Sequence, residues 1–326
     1  AFNYGMFNFS TEGFYLKFVK GITDYELGLE FAIDFFIKYQ NREVDTWEQI
    51  LLLTPEEKQR IFDALMLNYE PQNRFYRYNF VYDNCATRPR DMIEQAIGDT
   101  VIYPDRNVHN TFRQLVAGCV GTNNWTKFAL DIVLGASADK VATPRERMFL
   151  PLELMFYLEH ATRKDGKKIV ASTTQVYKAP KKEVVTPFVL KPVVICFAAL
   201  FLIGLISYVG RNKNMLWLDA ILFTASGLMG IIVFYLTFIS VHPIVSENYN
   251  LLWTNPLQLL FVLLLPFKGL RKLLSYYQLI NVVAILVAIA GYVFLPQEFN
   301  VAFLPIMLLL LMRGLFYMRY QKIIAH

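Results

Sequence analysis

The run Tyr82-Asp83-Asn84-Cys85-Ala86-Thr87-Arg88 sets a single cysteine between an apolar, strand-like stretch, Phe80-Val81-Tyr82, and a helix-like segment over residues 90–97. A thiol at such a junction is a candidate nucleophile. The first-turn N–H groups of a helix have no partner within it and the helix dipole favours an anion there, so the position predicts a thiol that ionises more readily than an exposed one. Asp83 is placed to accept hydrogen bonds from the turn, Asn84 to orient the thiol or donate to an oxyanion, and Pro89 suits an early helical position. Arg88 and Arg90 have two readings: forked donors to a phosphate, or partners of Asp91 or a sheet-edge carboxylate. A thiol enzyme and a buried structural cysteine both remain open on these residues alone.

A thiolate nucleophile normally works with a base, and the chain holds His109, His160, His242 and His326, none next to Cys85 in sequence. His160 follows Glu159 on a helix-like segment and reads as solvated or capping, whereas His109 stands in a polar loop able to approach the site. His242 opens a loop, residues 240–256, rich in side-chain amides: Asn248, Asn250 and Asn255. His242 and these asparagines are candidate ligands of a lipid head group or parts of a cleft, with Tyr249 and Trp253 as interfacial anchors in the structural alternative. The three cysteines, Cys85, Cys119 and Cys196, are no disulfide framework; a Cys85–Cys119 bridge would remove the nucleophile, and Cys196 reads as lipid-facing filler. The reading calls for no metal and no cofactor.

The elements that must position Cys85 begin as a sheet. Tyr25-Glu26-Leu27-Gly28-Leu29-Glu30-Phe31 alternates as a half-buried strand does, and a second strand is expected over residues 75–82. Thr54-Pro55-Glu56-Glu57 starts a helix, with the hydroxyl at the cap, proline in first position and carboxylates in the first turn. Short helices are expected over residues 124–134, 144–149 and 151–161. Sheet followed by helices gives an α+β domain over residues 1–163, and the polar, Lys/Thr-rich stretch 164–187 reads as a linker.

Beyond it the chain is membrane. Residues 188–326 hold five apolar segments, 192–209, 215–239, 251–266, 276–295 and 301–318, each near the roughly 20 residues that cross hydrocarbon, the third being shortest. Acidic and basic residues balance up to Lys191, so the net charge of +5 belongs to this half and a nucleic-acid partner is poorly supported. Arg211 and Lys213, then Lys268, Arg271 and Lys272, then Arg319 and Lys322 mark alternate loops, while the others hold only Glu247 and Glu298. The basic loops should be cytoplasmic, which puts the N-terminal domain on the opposite face and the C-terminus in the cytoplasm; Lys178, Lys181, Lys182 and Lys191 argue the other way but adjoin a long domain. An export signal is then expected upstream of Ala1. Asp219 and Arg313 fall within spans near their cytoplasmic ends, where snorkelling to the interface is the expected arrangement.

The chain resembles the Lnb-type lipoprotein N-acyltransferases of Bacteroidota. The resemblance is carried by Asn3-Tyr4-Gly5-Met6-Phe7-Asn8-Phe9, Phe18-Val19-Lys20-Gly21-Ile22-Thr23-Asp24-Tyr25, residues 79–91 around Cys85, Met148-Phe149-Leu150-Pro151 and the loop from His242 to Pro256. It implies a papain-like (NlpC/LRAT-like) cysteine-enzyme domain in the periplasm fused to an all-α membrane domain of about five helices, integral to the inner membrane. Cys85 takes the nucleophile's place, a membrane phospholipid is the implied acyl donor, and a diacylated lipoprotein is the acceptor. The resemblance also implies a partner histidine in a Gly-His segment upstream of Asn3-Tyr4-Gly5, before this sequence starts. A phospholipase or cysteine amidase using the same thiol, or a non-catalytic lipid- or lipoprotein-binding protein, are the alternatives.

Overall fold

The structure, a computed structural model, describes residues 1–98, 100–180, 186–210 and 215–325, with side chains to Gln321. Arg211 and Lys213 of the first basic loop, Lys181 and Lys182, the side chain of Lys322, and His326 lie outside the described residues. In chain order the first elements are β1 (Phe2–Met6), α1 (Phe14–Lys20), β2 (Asp24–Leu29), α2 (Ala32–Asn41), β3 (Thr46–Leu51), α3 (Pro55–Tyr69), β4 (Phe75–Arg77) and α4 (Thr87–Ile97). There follow α5 (Phe112–Val120), α6 (Trp125–Val133), α7 (Pro144–Arg147), α8 (Pro151–His160) and β5 (Val170–Tyr177). The rest is helical: α9 (Pro192–Val209), α10 (Leu216–Phe238), α11 (Leu257–Leu264), α12 (Arg271–Phe294) and α13 (Phe303–Ala325). The chain divides into two compact units, one of residues 1–110, 141–184 and 241–243, the other of 111–140, 185–240 and 244–326.

The first unit is α+β. Strands β1, β2 and β4 form an antiparallel sheet in which Tyr4, Tyr25, Leu27 and Tyr76 make a small core, the alternation of β2 turning Tyr25 and Leu27 inward. Thr54 caps α3 in a full capping box with Glu57, as its sequence predicts. The strand expected over residues 75–82 stops at Arg77. The Asn79 side chain accepts the N–H groups of Val81 and Tyr82, and a backbone pair between Asn79 and Asp83 closes the turn that delivers Cys85. The stretch read as a linker contains β5, paired antiparallel with β3 from Thr46↔Tyr177 to Leu51↔Val170. That ribbon is held by backbone hydrogen bonds, so its Ser/Thr/Gln content carries no apolar signal, and the unit extends past residue 163.

The second unit is helical. Arg113, buried in α5, bonds Asp139 through Nε and Nη2 and Asp131 through Nη1, while Lys127 and Asn300 also hold Asp131. Among the described residues four helices are long and apolar enough to cross a membrane, Pro192–Val209, Leu216–Phe238, Lys268–Phe294 and Phe303–Gln321, rather than about five. The third segment is not one of them because it is broken: a turn of 3-10 helix, Tyr249–Leu252, precedes the eight residues of α11, about 12 Å of helix. Its irregular backbone is satisfied internally, as hydrocarbon demands. The Trp253 carbonyl accepts from Ser226 and Gln258, and the Thr254 hydroxyl donates to the Asn250 carbonyl. Gly230 of α10 admits this backbone, since a Cβ there would overlap the Thr254 carbonyl. Asn248 and Gln297 meet beyond one end of α12, Asn255 bonds Asn281 and Tyr277 well inside it, and Lys268–Leu270 leads into its start, so the broken segment runs along α12 from end to end.

Asp219 and Arg313 do not snorkel. They form an ion pair of 2.7 Å inside the bundle, and Arg313 Nη1 adds a bond of 3.1 Å to Ser207 Oγ, tying α10, α13 and α9 together. Paired burial removes the cost that would have driven either group to the surface. Cys196 is buried rather than lipid-facing, and none of the three cysteines is in a disulfide.

Candidate active site around Cys85

Asn84 builds the site. Its side-chain oxygen accepts the N–H groups of Ala86 and Thr87 at 2.8 and 3.0 Å, capping the entry to α4, and its two amide hydrogens go to the carbonyls of Phe80 and Phe149 at 2.8 and 2.9 Å. The residue is buried and both donors are committed, so Asn84 fastens the turn and has no hydrogen left for an oxyanion. The Ala86 N–H is spent on the same side chain. The N–H of Cys85 itself faces its own sulfur and favours the charged thiol.

Cys85 is solvent-exposed and free. It packs against Gly5 of β1, whose φ of 117° belongs to the glycine region and whose Cβ, were there one, would stand 3.2 Å from the Cys85 Cβ. Tyr25, Tyr76 and Tyr78 surround the sulfur closely enough for its charge to raise their phenol pKa values, after burial, and Tyr25 stacks on Tyr78 at 4.1 Å. These walls withdraw enough water to push the Cys85 thiol up, outweighing its own N–H. The lowered pKa expected from the helix start is therefore not met: Cys85 precedes the first helical residue by two positions, and desolvation wins. Among the described residues no histidine bonds Cys85. His160 bonds the Phe156 carbonyl at the end of α8, and His109 is exposed in its loop.

On one side of Cys85 opens an apolar groove of about 800 Å³. Phe35 and Tyr39 of α2, Trp47 of β3, and Leu152, Met155 and Leu158 of α8 line it, with Cys85 and Ala86 among the lining residues. A separate polar cavity of about 420 Å³ includes Asp83, Arg88, Asp91 and Asn68. Asp83 holds Arg88 in a two-pronged pair of 2.6 and 2.8 Å, and the guanidinium lies 3.9 Å from the centroid of the Tyr76 ring. Arg90 is buried, bonded to Asp91 and to the Arg145 carbonyl, which leaves the ion-pair reading of its sequence in place.

The loop residues fall elsewhere. His242 belongs with the first unit, its Nε2 2.9 Å from the Phe18 carbonyl. Asn248 and Asn250 are buried in the second unit and donate to the carbonyls of Asp131 and Ile132, while Asn255 bonds Asn281 and Tyr277. These three amides spend their hydrogen bonds within the fold. Sequence reasoning did not single out Gly5, the three tyrosines or the groove as parts of the site; Gly5 carried a signal in the Asn-Tyr-Gly string of β1, and Tyr25 in the alternation of β2.

The chain that holds this cysteine and groove matches two family models. Residues 1–118 match the Lnb N-terminal periplasmic domain, and residues 181–323 match the Lnb transmembrane domain. The chain belongs to the Lnb family. The first unit thus carries the family's periplasmic domain, and the four long helices lie in its transmembrane domain. Neither a curated protein nor a solved structure matches the chain.

Proposed function

We propose that this Lnb-type membrane protein modifies lipoproteins as an N-acyltransferase, moving an acyl chain from a membrane phospholipid through a thioester on Cys85 to the α-amine of a diacylglyceryl-cysteine. The observation that carries the reading is the free, exposed Cys85 sulfur at an apolar groove large enough to seat a fatty tail. The thiolate attacks the ester carbonyl carbon, the carbon–oxygen bond breaks, and the lysophospholipid oxygen leaves with the proton the base took from the thiol. The lipoprotein amine then attacks the thioester carbonyl, the carbon–sulfur bond breaks, and an amide forms as the base takes the amine's proton and passes it to the departing thiolate, a ping-pong route. The base is a histidine, as the family resemblance implies, and the raised thiol pKa is what makes one necessary. Asn84 positions the nucleophile, the Asp83–Arg88 pair fixes the turn behind it, and the Cys85 N–H is the oxyanion donor. Arg88 keeps donors beyond those used by Asp83 for a lipid phosphate, and Asn248, Asn250 and Asn255 act as internal fastenings of the loop.

Placement at the bilayer is supported by α1, which exposes Tyr15, Leu16 and Val19 beside Lys17 and Lys20, an interfacial pattern. The end-to-end course of the broken third segment and the basic residues at Lys268–Lys272 and Arg319 favour a cytoplasmic C-terminus. The test is complementation of lipoprotein N-acylation by Cys85→Ser and Cys85→Ala at matched membrane levels: both should abolish it, and full N-acylation by both removes Cys85 from the mechanism. Solvent access to Cys85 favours one second reading, hydrolysis of the acyl-enzyme by water; free fatty acid without N-acyl lipoprotein would be its product.

A further inference from the structure

The membrane bundle has a cavity of its own that the chemistry at Cys85 does not use. It lies between the start of α12 and the end of α13 and measures about 960 Å³. Lys268, Arg271, Lys272 and Arg319 line it, and among the described residues no carboxylate does. Arg271 and Lys272 stand in the first turn of α12, which holds no acidic residue. Cations there oppose the positive end of the helix dipole, an arrangement that an anion in the cavity would relieve. Arg313 of α13 is already committed to Asp219.

Polarity changes along the cavity in one direction. From Lys272 to Leu279 the helix rises about 10 Å, and there Leu279 of α12 and Leu315 of α13 form apolar walls, both exposed on the bundle surface. A free phosphate would use only the charged end. A molecule with an anionic head and a fatty tail uses both. We propose that this cavity binds an anionic phospholipid of the adjoining leaflet, its phosphate among the four cations and an acyl chain along Leu279 and Leu315. The proposal does not depend on Cys85 or on the acyl-transfer reading.

The experiment is native mass spectrometry of the full chain in neutral detergent with equimolar phosphatidylglycerol and phosphatidylcholine. Phosphatidylglycerol should be retained preferentially, and Lys272→Gln/Arg319→Gln should weaken its retention by about 25-fold, near fivefold for each cation lost. Lys58→Gln/Lys140→Gln, which removes the same charge elsewhere, should leave it unchanged. Leu279→Trp should also reduce retention while the four cations remain. Equal retention of the two lipids, equal loss in the two charge variants, no effect of Leu279→Trp, or displacement of the lipid by millimolar inorganic phosphate would each overturn the proposal.

Discussion

If the groove beside Cys85 seats an acyl tail, the reactivity of that thiol should depend on the length of tail attached to the electrophile. The groove holds about 800 Å³ and its walls are aromatic and aliphatic: Phe35, Trp47, Leu152, Met155 and Leu158. Burying one methylene contributes about 0.8 kcal/mol, close to fourfold in rate constant, so four added methylenes give up to about 3 kcal/mol, or roughly 200-fold. Partial burial in an open groove lowers this, and on the order of tenfold is the least a seated tail should give. The assay compares N-butyl and N-octyl iodoacetamide, with second-order rates of Cys85 modification followed by peptide mass. Cys119, also exposed and in no disulfide, is the internal control for partitioning into detergent or lipid, since it does not line the groove. Met155→Trp narrows the groove from its α8 wall and should flatten the dependence at Cys85 while leaving Cys119 unaltered. Equal length dependence at both cysteines, or a Met155→Trp protein with the full Cys85 dependence, would refute the groove as the acyl site.

Desolvation makes the Cys85 thiol a weaker acid than usual, so alkylation by short iodoacetamide should climb through a midpoint above the ordinary thiol value of about 8.5; a plateau already reached by pH 7 would mean that a cation or imidazole acts on the sulfur in this chain. Asn84→Ala removes two amide bonds to buried carbonyls and the acceptor for two N–H groups, and should cost roughly 3 kcal/mol of stability in denaturant titration of the protein in detergent. Asp219→Ala and Arg313→Ala should each destabilise by about 3–5 kcal/mol, with the double variant losing less than the two singles together; additivity would mean the pair is not energetically coupled.

Local chemistry was legible and long-range partnership was not. Cys85 stood out because a turn, an Asx residue and a helix start surround it within a few positions. Asn84 was recognised as part of the site, but its role depends on the Phe149 carbonyl, 65 positions away, which turns a candidate oxyanion donor into a fastening. Asp219 and Arg313 looked like separate snorkelling groups because 94 positions divide them. The groove joins α2, β3 and α8, elements whose apolar residues look like ordinary core until folding leaves one face uncovered. Strand β5 escaped because ladder pairing is sequence-tolerant, and the third membrane segment looked continuous because hydropathy counts its residues without registering the break at Pro256.

The most direct measurement is the mass of the Cys85 peptide after the membrane-embedded protein is held with phospholipid and no lipoprotein. The account predicts a fatty-acyl adduct on that peptide, removed by neutral hydroxylamine and by added lipoprotein amine. Lipoprotein N-acylation proceeding at full rate with Cys85 unmodified throughout would contradict it.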